Sequence, residues 1–142
     1  MAVICFSSYI LAIYCLTKPK KILSLKRDKY VFYDDGKTNI AYNCVKKNID
    51  EGRGNNDAIV FISEKNERKI LTFFELEYLI NHFISYLFKN FKKNELKKNN
   101  IAIHSSANLC SAISMLACMK LGITHCVIFN ELSKEAIEIR CK

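Results

Sequence analysis

Three histidines, seven cysteines and the pair Ser105-Ser106 are the side chains of this sequence that could do covalent or metal chemistry. His82 lies in a stretch of helical periodicity, His104 closes a predicted strand and His125 opens another. A metal site needs a second ligand at short spacing, as in HxxxH or HxxE, and no such partner stands beside any of the three. A hydrogen-bonded structural role is the expectation for each. Cys110, Cys118 and Cys126 recur at equal intervals, but no CxxC pair occurs. An odd number of unpaired cysteines favours buried free thiols over a zinc site or a disulfide framework. Ser105-Ser106 lacks the surrounding GxSxG elbow of a serine nucleophile. A phosphate loop needs glycines between a strand and a helix, where backbone amides can approach the anion. Gly36, Gly52, Gly54 and Gly122 are the only glycines, and none opens a helix after a strand. The chain is therefore expected to hold no catalytic residue, no metal and no nucleotide-phosphate site of its own.

The elements that would position these residues can be read from periodicity. Thr38 is placed to cap a helix over 39–51, with Ile40, Ala41, Cys44, Val45 and Ile49 on one face. Gly52 suits the left-handed position that ends it. Ala58 to Ile62 reads as a buried strand, and Arg68 to Leu71 as its hairpin partner across a polar turn. Thr72-Phe-Phe-Glu75 has the form of a capping box before a helix running to Asn90. Leu76, Leu79, Ile80, Phe83, Leu87 and Phe91 form its apolar stripe. A charged loop, Phe91 to Asn100, precedes a short strand, Ile101 to Ile103. A helix from Leu109 to Leu121 stops at Gly122, a strand spans Thr124 to Phe129, and Ser133 caps a last helix with Glu135 in its first turn. Strands alternating with helices imply an α/β fold with parallel pairing. So few strands would leave apolar edges open, which points to a truncated piece of a larger sheet.

Length bounds the chain at one domain, since it has 142 residues, half of them apolar. The net charge of +8 comes from scattered lysines without an arginine-rich stripe and interleaved aromatics, so no nucleic acid is expected as partner. Residues 1–17 are almost continuously apolar and 18–37 form a basic connector with the only proline. The apolar run is short for a bilayer, and its basic residues follow it rather than precede it, which argues against a cleaved signal peptide. Residues 2–17 as a membrane anchor with its basic end in the cytoplasm, as a core element, or as a non-native start all stay open. The remaining 38–142 form the folded unit. No partner protein is implied.

Several short segments stand in a recognisable order: Asn39-Ile-Ala-Tyr-Asn-Cys44, Glu51-Gly-Arg-Gly-Asn55, Lys69-Ile-Leu-Thr-Phe-Phe-Glu-Leu76, Met115-Leu-Ala-Cys118, Leu121-Gly122, His125-Cys-Val-Ile-Phe129 and Ser133-Lys-Glu-Ala136. Together they resemble the N-terminal stretch of AMP-forming acetyl-CoA synthetases, the acetate–CoA ligases of the AMP-dependent synthetase/ligase family. The resemblance runs from about Lys37 to Arg140. It implies an incomplete N-terminal part of the doubly wound large domain of an adenylate-forming enzyme. It also implies a two-step ligase. Acetate attacks the α-phosphate of ATP to give acetyl-AMP and pyrophosphate, assisted by Mg2+, and the thiol of coenzyme A then displaces AMP. ATP, Mg2+ and coenzyme A would serve the complete enzyme, with acetate as substrate and propionate as the alternative. None of the family's nucleotide-binding segments falls within the matched stretch, so the fragment is expected to be inactive alone. One family site does fall within it, the turn that meets the pantetheine arm of coenzyme A. By resemblance it is Phe129, Asn130 and Glu131. The family's Phe-Gly-Gly here reads Phe129-Asn130-Glu131, which removes the close backbone approach that two glycines allow. His104-Ser-Ser-Ala-Asn-Leu109 also departs, replacing a turn with methionine and proline. The resemblance implies a cytoplasmic protein; the rival reading is a non-enzymatic interaction module anchored to a membrane through residues 2–17.

Overall fold

The computed structural model describes residues 3–6, 20, 22–26, 29–34, 36–98 and 100–141. Strands and helices alternate as β1 (Val3–Phe6), β2 (Leu23–Lys26), β3 (Lys29–Phe32), α1 (40–53), β4 (Asp57–Ile62), β5 (Arg68–Thr72), α2 (Phe73–Asn90), α3 (Lys93–Lys98), β6 (Ile101–His104), α4 (Leu109–Leu121), β7 (His125–Ile128) and α5 (Lys134–Cys141). They make three small sheets, not one. β4 pairs antiparallel with both β1 and β5, β2 pairs antiparallel with β3, and β6 runs parallel to β7. The α/β class read from the sequence holds. Parallel pairing holds only for β6 and β7, which are joined through α4. The hairpin β4–β5 turns back within five residues, too short a link for a parallel crossover.

The basic connector contains the hairpin β2–β3, whose ladder pairs Leu23 with Phe32 and Leu25 with Tyr30. Of the apolar run 2–17, the described residues Val3–Phe6 are extended and paired with Ile59–Ile62; the rest lies outside the described residues. Among the described residues no helix is long and apolar enough to cross a membrane.

Helix α2 is the spine. Thr72 Oγ1 accepts from the amide of Glu75 at 3.2 Å, and Glu75 Oε2 accepts from the amide of Thr72 at 2.8 Å, closing the expected box. Its buried residues Leu76, Ile80 and Leu87 recur along one stripe. They join two cores. The larger unites Ala41 and Val45 of α1, Ile59 of β4, Leu71 of β5 and Leu116 and Ala117 of α4 around Leu76 and Ile80. The smaller unites Leu87, Leu96, Ile103, Cys118 and Ile123. Each fully buried aliphatic side chain contributes about 1.5–3 kcal/mol relative to its exposed state.

Four sequence expectations need correction. The cap of α1 is Asn39, not Thr38: Asn39 Oδ1 accepts from the amide of Tyr42 at 3.1 Å, while Thr38 Oγ1 accepts from the side chain of Asn43. Ile40 is exposed: the inner face of α1 is set by the neighbouring Ala41 and by Val45, four residues apart, which leaves residue 40 to the outside. Gly52 does end the helix in the left-handed region, at φ 82°. The charged loop after α2 is a short helix, α3, that buries Leu96, with Glu95 Oε2 accepting from the amide of Lys92 at 2.9 Å. Phe91 leaves the stripe, since α2 has ended and its backbone is extended there.

Candidate functional site

β6 and β7 finish side by side, His104 opposite Ile128, and both following loops leave from this one edge. The amide of Ser105 donates to the carbonyl of Ile128 at 3.3 Å, which holds the two loop starts together. After β7 the turn Phe129–Leu132 closes through the Leu132 amide and the Phe129 carbonyl at 3.3 Å. Ser133 Oγ then accepts from the amide of Ala136 at 3.3 Å and starts α5. In parallel α/β units ligands bind at such carboxyl ends of strands, because the loops there diverge and leave a crevice.

Phe129, Asn130 and Glu131 are all exposed in this turn, Phe129 to 67%. Asn130 and Glu131 do not have positive φ; among the described residues the non-glycine positions that do are Tyr33 and Asn66. The turn is thus unstrained without its glycines. What the two side chains change is the approach to the backbone and the charge, since Glu131 adds a carboxylate at the surface.

The second loop is tied to itself. Asn108 Oδ1 accepts from the amide of Ser111 at 2.9 Å, and Ser111 Oγ accepts from the amide of Asn108 at 3.2 Å, a second capping box that opens α4. Asn108 Nδ2 also donates to Ser105 Oγ at 2.9 Å and to Ser106 Oγ at 3.2 Å. The serine pair therefore serves the helix cap, and no histidine base takes part. His82 is exposed and stacks on Tyr78, with ring centroids 6.2 Å apart; His104 is exposed and His125 half-buried. The hydrogen bonds expected for the histidines are not seen among the described residues. His82 projects outward because the buried stripe of α2 lies on its other side. Among the described residues no group of histidine, cysteine and acidic side chains could hold a metal.

The cysteines also differ from expectation. Cys118 is buried and Cys44 half-buried, and burial pushes both thiols up from their ordinary pKa. Cys110, Cys126 and Cys141 are exposed, at a helix start, within β7 and at the end of α5.

Sequence reasoning missed the clamp formed by Asn39. While its oxygen caps α1, its Nδ2 donates to the carbonyls of Met119 at 2.9 Å and Lys120 at 3.4 Å, the last turn of α4. Gly122, at φ 67°, ends α4 there and turns the chain into β7. One asparagine thus fixes α1 against the helix that delivers β7 and its turn. Asparagine is among the best N-caps, so the head of the Asn39–Cys44 motif carried the signal.

No protein-family model matches the chain. Individual curated proteins do. The acetyl-coenzyme A synthetase of Streptomyces avermitilis is 30% identical over 130 residues, which are 89% of this chain and 19% of that protein. The acetyl-coenzyme A synthetase of Leptospira biflexa is 32% identical over 111 residues, 77% of this chain and 16% of that protein. That of Cupriavidus metallidurans is 28% identical over 112 residues, 78% and 16% of the two chains. The resemblance carried by the sequence motifs is thus borne out across most of the chain: it is similar to part of the acetyl-coenzyme A synthetases. It spans less than one-fifth of the length of these relatives.

Proposed function

We propose that this chain is scaffold from an AMP-forming acetate–CoA ligase, the part that carries a coenzyme A-facing turn. The similarity over 130 residues to an acetyl-coenzyme A synthetase carries this reading. The parallel pair β6–β7, with its helix between, supports a place within a doubly wound sheet. In the complete ligase ATP, Mg2+ and coenzyme A would take part, and acetate would be joined to coenzyme A with release of AMP and diphosphate. The chain's own contribution is to position the turn. Asn39 and Gly122 set the entry of β7, Ser105 ties the neighbouring loop to its end, and Phe129 offers the pantetheine arm an apolar surface. Asn130 and Glu131 weaken that contact by keeping the arm off the backbone. Cytoplasmic location follows from the same reading.

The first step needs a phosphate-binding loop, which these glycines do not supply. The 142-residue chain is expected to give no exchange of pyrophosphate into ATP with acetate and Mg2+. Exchange above a buffer blank, lost on omitting acetate, would overturn this reading.

A further inference from the structure

The hairpin β2–β3 has one wholly apolar face. Cross-strand partners and alternate residues of an antiparallel pair share a face, so Leu23, Leu25, Tyr30 and Phe32 project together. All four are exposed, to 47%, 64%, 71% and 63%. Ile22 and Tyr33 extend the ladder through a 3.0 Å bond from the Tyr33 amide to the Ile22 carbonyl; they are exposed as well, but by alternation they fall on the opposite face. The opposite face carries Ser24 and Val31, both half-buried, with Lys26 and Lys29 at the turn end. Lys26 pairs with Asp34, and Lys29 is exposed. A two-stranded hairpin is marginal in water unless something covers its apolar face.

Charge indicates what covers it. Residues 18–37 hold seven basic side chains against three acidic ones, so a stretch of 20 residues carries +4 of the net +8 of all 142. Protein–protein contact surfaces are depleted in lysine. An anionic bilayer surface attracts lysine, and tyrosine, phenylalanine and leucine settle at its headgroup boundary. We propose that the hairpin 22–33 docks flat on an anionic lipid surface. Leu23, Leu25, Tyr30 and Phe32 enter the interface, and Lys26 and Lys29, on the other face at the turn end, reach around the end of the hairpin to lipid phosphates. This surface is separate from the turn at Phe129–Glu131 and does not depend on the ligase reading.

The test is co-sedimentation of the whole 142-residue chain with vesicles of phosphatidylcholine alone or with phosphatidylserine added. Binding is expected on the anionic vesicles only, falling as salt rises. Lys26→Gln with Lys29→Gln should weaken it by roughly 25-fold, at about fivefold per lysine. Leu25→Ser with Tyr30→Ser should weaken it about tenfold or more, with the circular dichroism spectrum unchanged. Should the serine pair unfold the chain, the exposed lysine pair decides alone. Equal binding to neutral vesicles, or variants that bind like the parent, would overturn the proposal and assign any binding to another segment such as 2–17. Self-association abolished by the serine pair, without lipid binding, would overturn it in favour of a second copy on this face.

Discussion

Asn39 ties two helices of this molecule together. It caps α1 through its oxygen and holds the last turn of α4 through its nitrogen. Asn39→Ala is expected to lower stability to urea by about 2 kcal/mol, a lost cap plus a lost interhelical bond. Asn39→Ser, which keeps an acceptor for the Tyr42 amide, should recover about half of that. The thiols give a second check at this scale. Cys110, Cys126 and Cys141 are exposed, whereas burial raises the pKa of Cys44 and Cys118. Only the thiolate reacts with a disulfide reagent. The three exposed thiols should therefore be modified in the native protein at neutral pH well before Cys44, and Cys118 should react only on unfolding. Mass spectrometry of timed samples reads this directly. The cysteine positions also show where sequence fails. A thiol's preference for the interior is a tendency of the residue type, but exposure is set by what packs over each position: Cys126 is exposed although Ile128, on the same face of β7, is buried.

At the scale of elements, the capped helices were legible and the sheet arrangement was not. Thr72-x-x-Glu75 and Gly122 carry local chemistry that fixes the ends of α2 and α4, so their bounds followed from the residues alone. Asn108-x-x-Ser111 carries the same signal and was readable in principle. Pairing is a long-range property. The β4–β5 hairpin was readable from the polar turn between its strands, but nothing in Ala58–Ile62 shows that its other neighbour is β1 rather than β6. The hairpin in 18–37 was hidden by its lysines and by the lack of a Gly-containing turn, and α3 by its charges. Leu96 is the one apolar anchor of α3, and it is buried in the smaller core. Leu96→Ala should cost about 2–4 kcal/mol in denaturant unfolding. The cap of α2 has a pH signature. Two bonds from Thr72, to its backbone and its hydroxyl, hold the Glu75 carboxyl below its ordinary pKa. A depressed acid stabilises the fold above its unfolded pKa, and that contribution is lost as pH falls through the folded value. Glu75→Gln should therefore show a smaller loss of stability between neutral and acidic pH than the parent, with the difference confined to the region at and below about pH 4.

Among the described residues two cores join across α2, and the hairpin face and the carboxyl edge of β6 and β7 are among the surfaces left uncovered. The candidate turn was legible by resemblance, because Phe129-Asn130-Glu131 follows His125-Cys-Val-Ile128 in a matching order. Its unstrained backbone was not, since φ at Asn130 and Glu131 depends on how β7 and α5 are joined. The role proposed for this chain is that of ligase scaffold with a weakened coenzyme A turn. A chimaera tests that claim most directly: residues 38–141 replace the matching stretch of the Streptomyces avermitilis synthetase, which is 30% identical. The measurement is acetate-dependent ATP–pyrophosphate exchange beside acetyl-CoA formation in the same folded preparation. The predicted result is retained exchange with depressed acetyl-CoA formation, and Asn130→Gly with Glu131→Gly raising the second about tenfold while leaving the first unchanged. A soluble, cooperatively melting chimaera without exchange, or one whose acetyl-CoA formation ignores the turn, would contradict it.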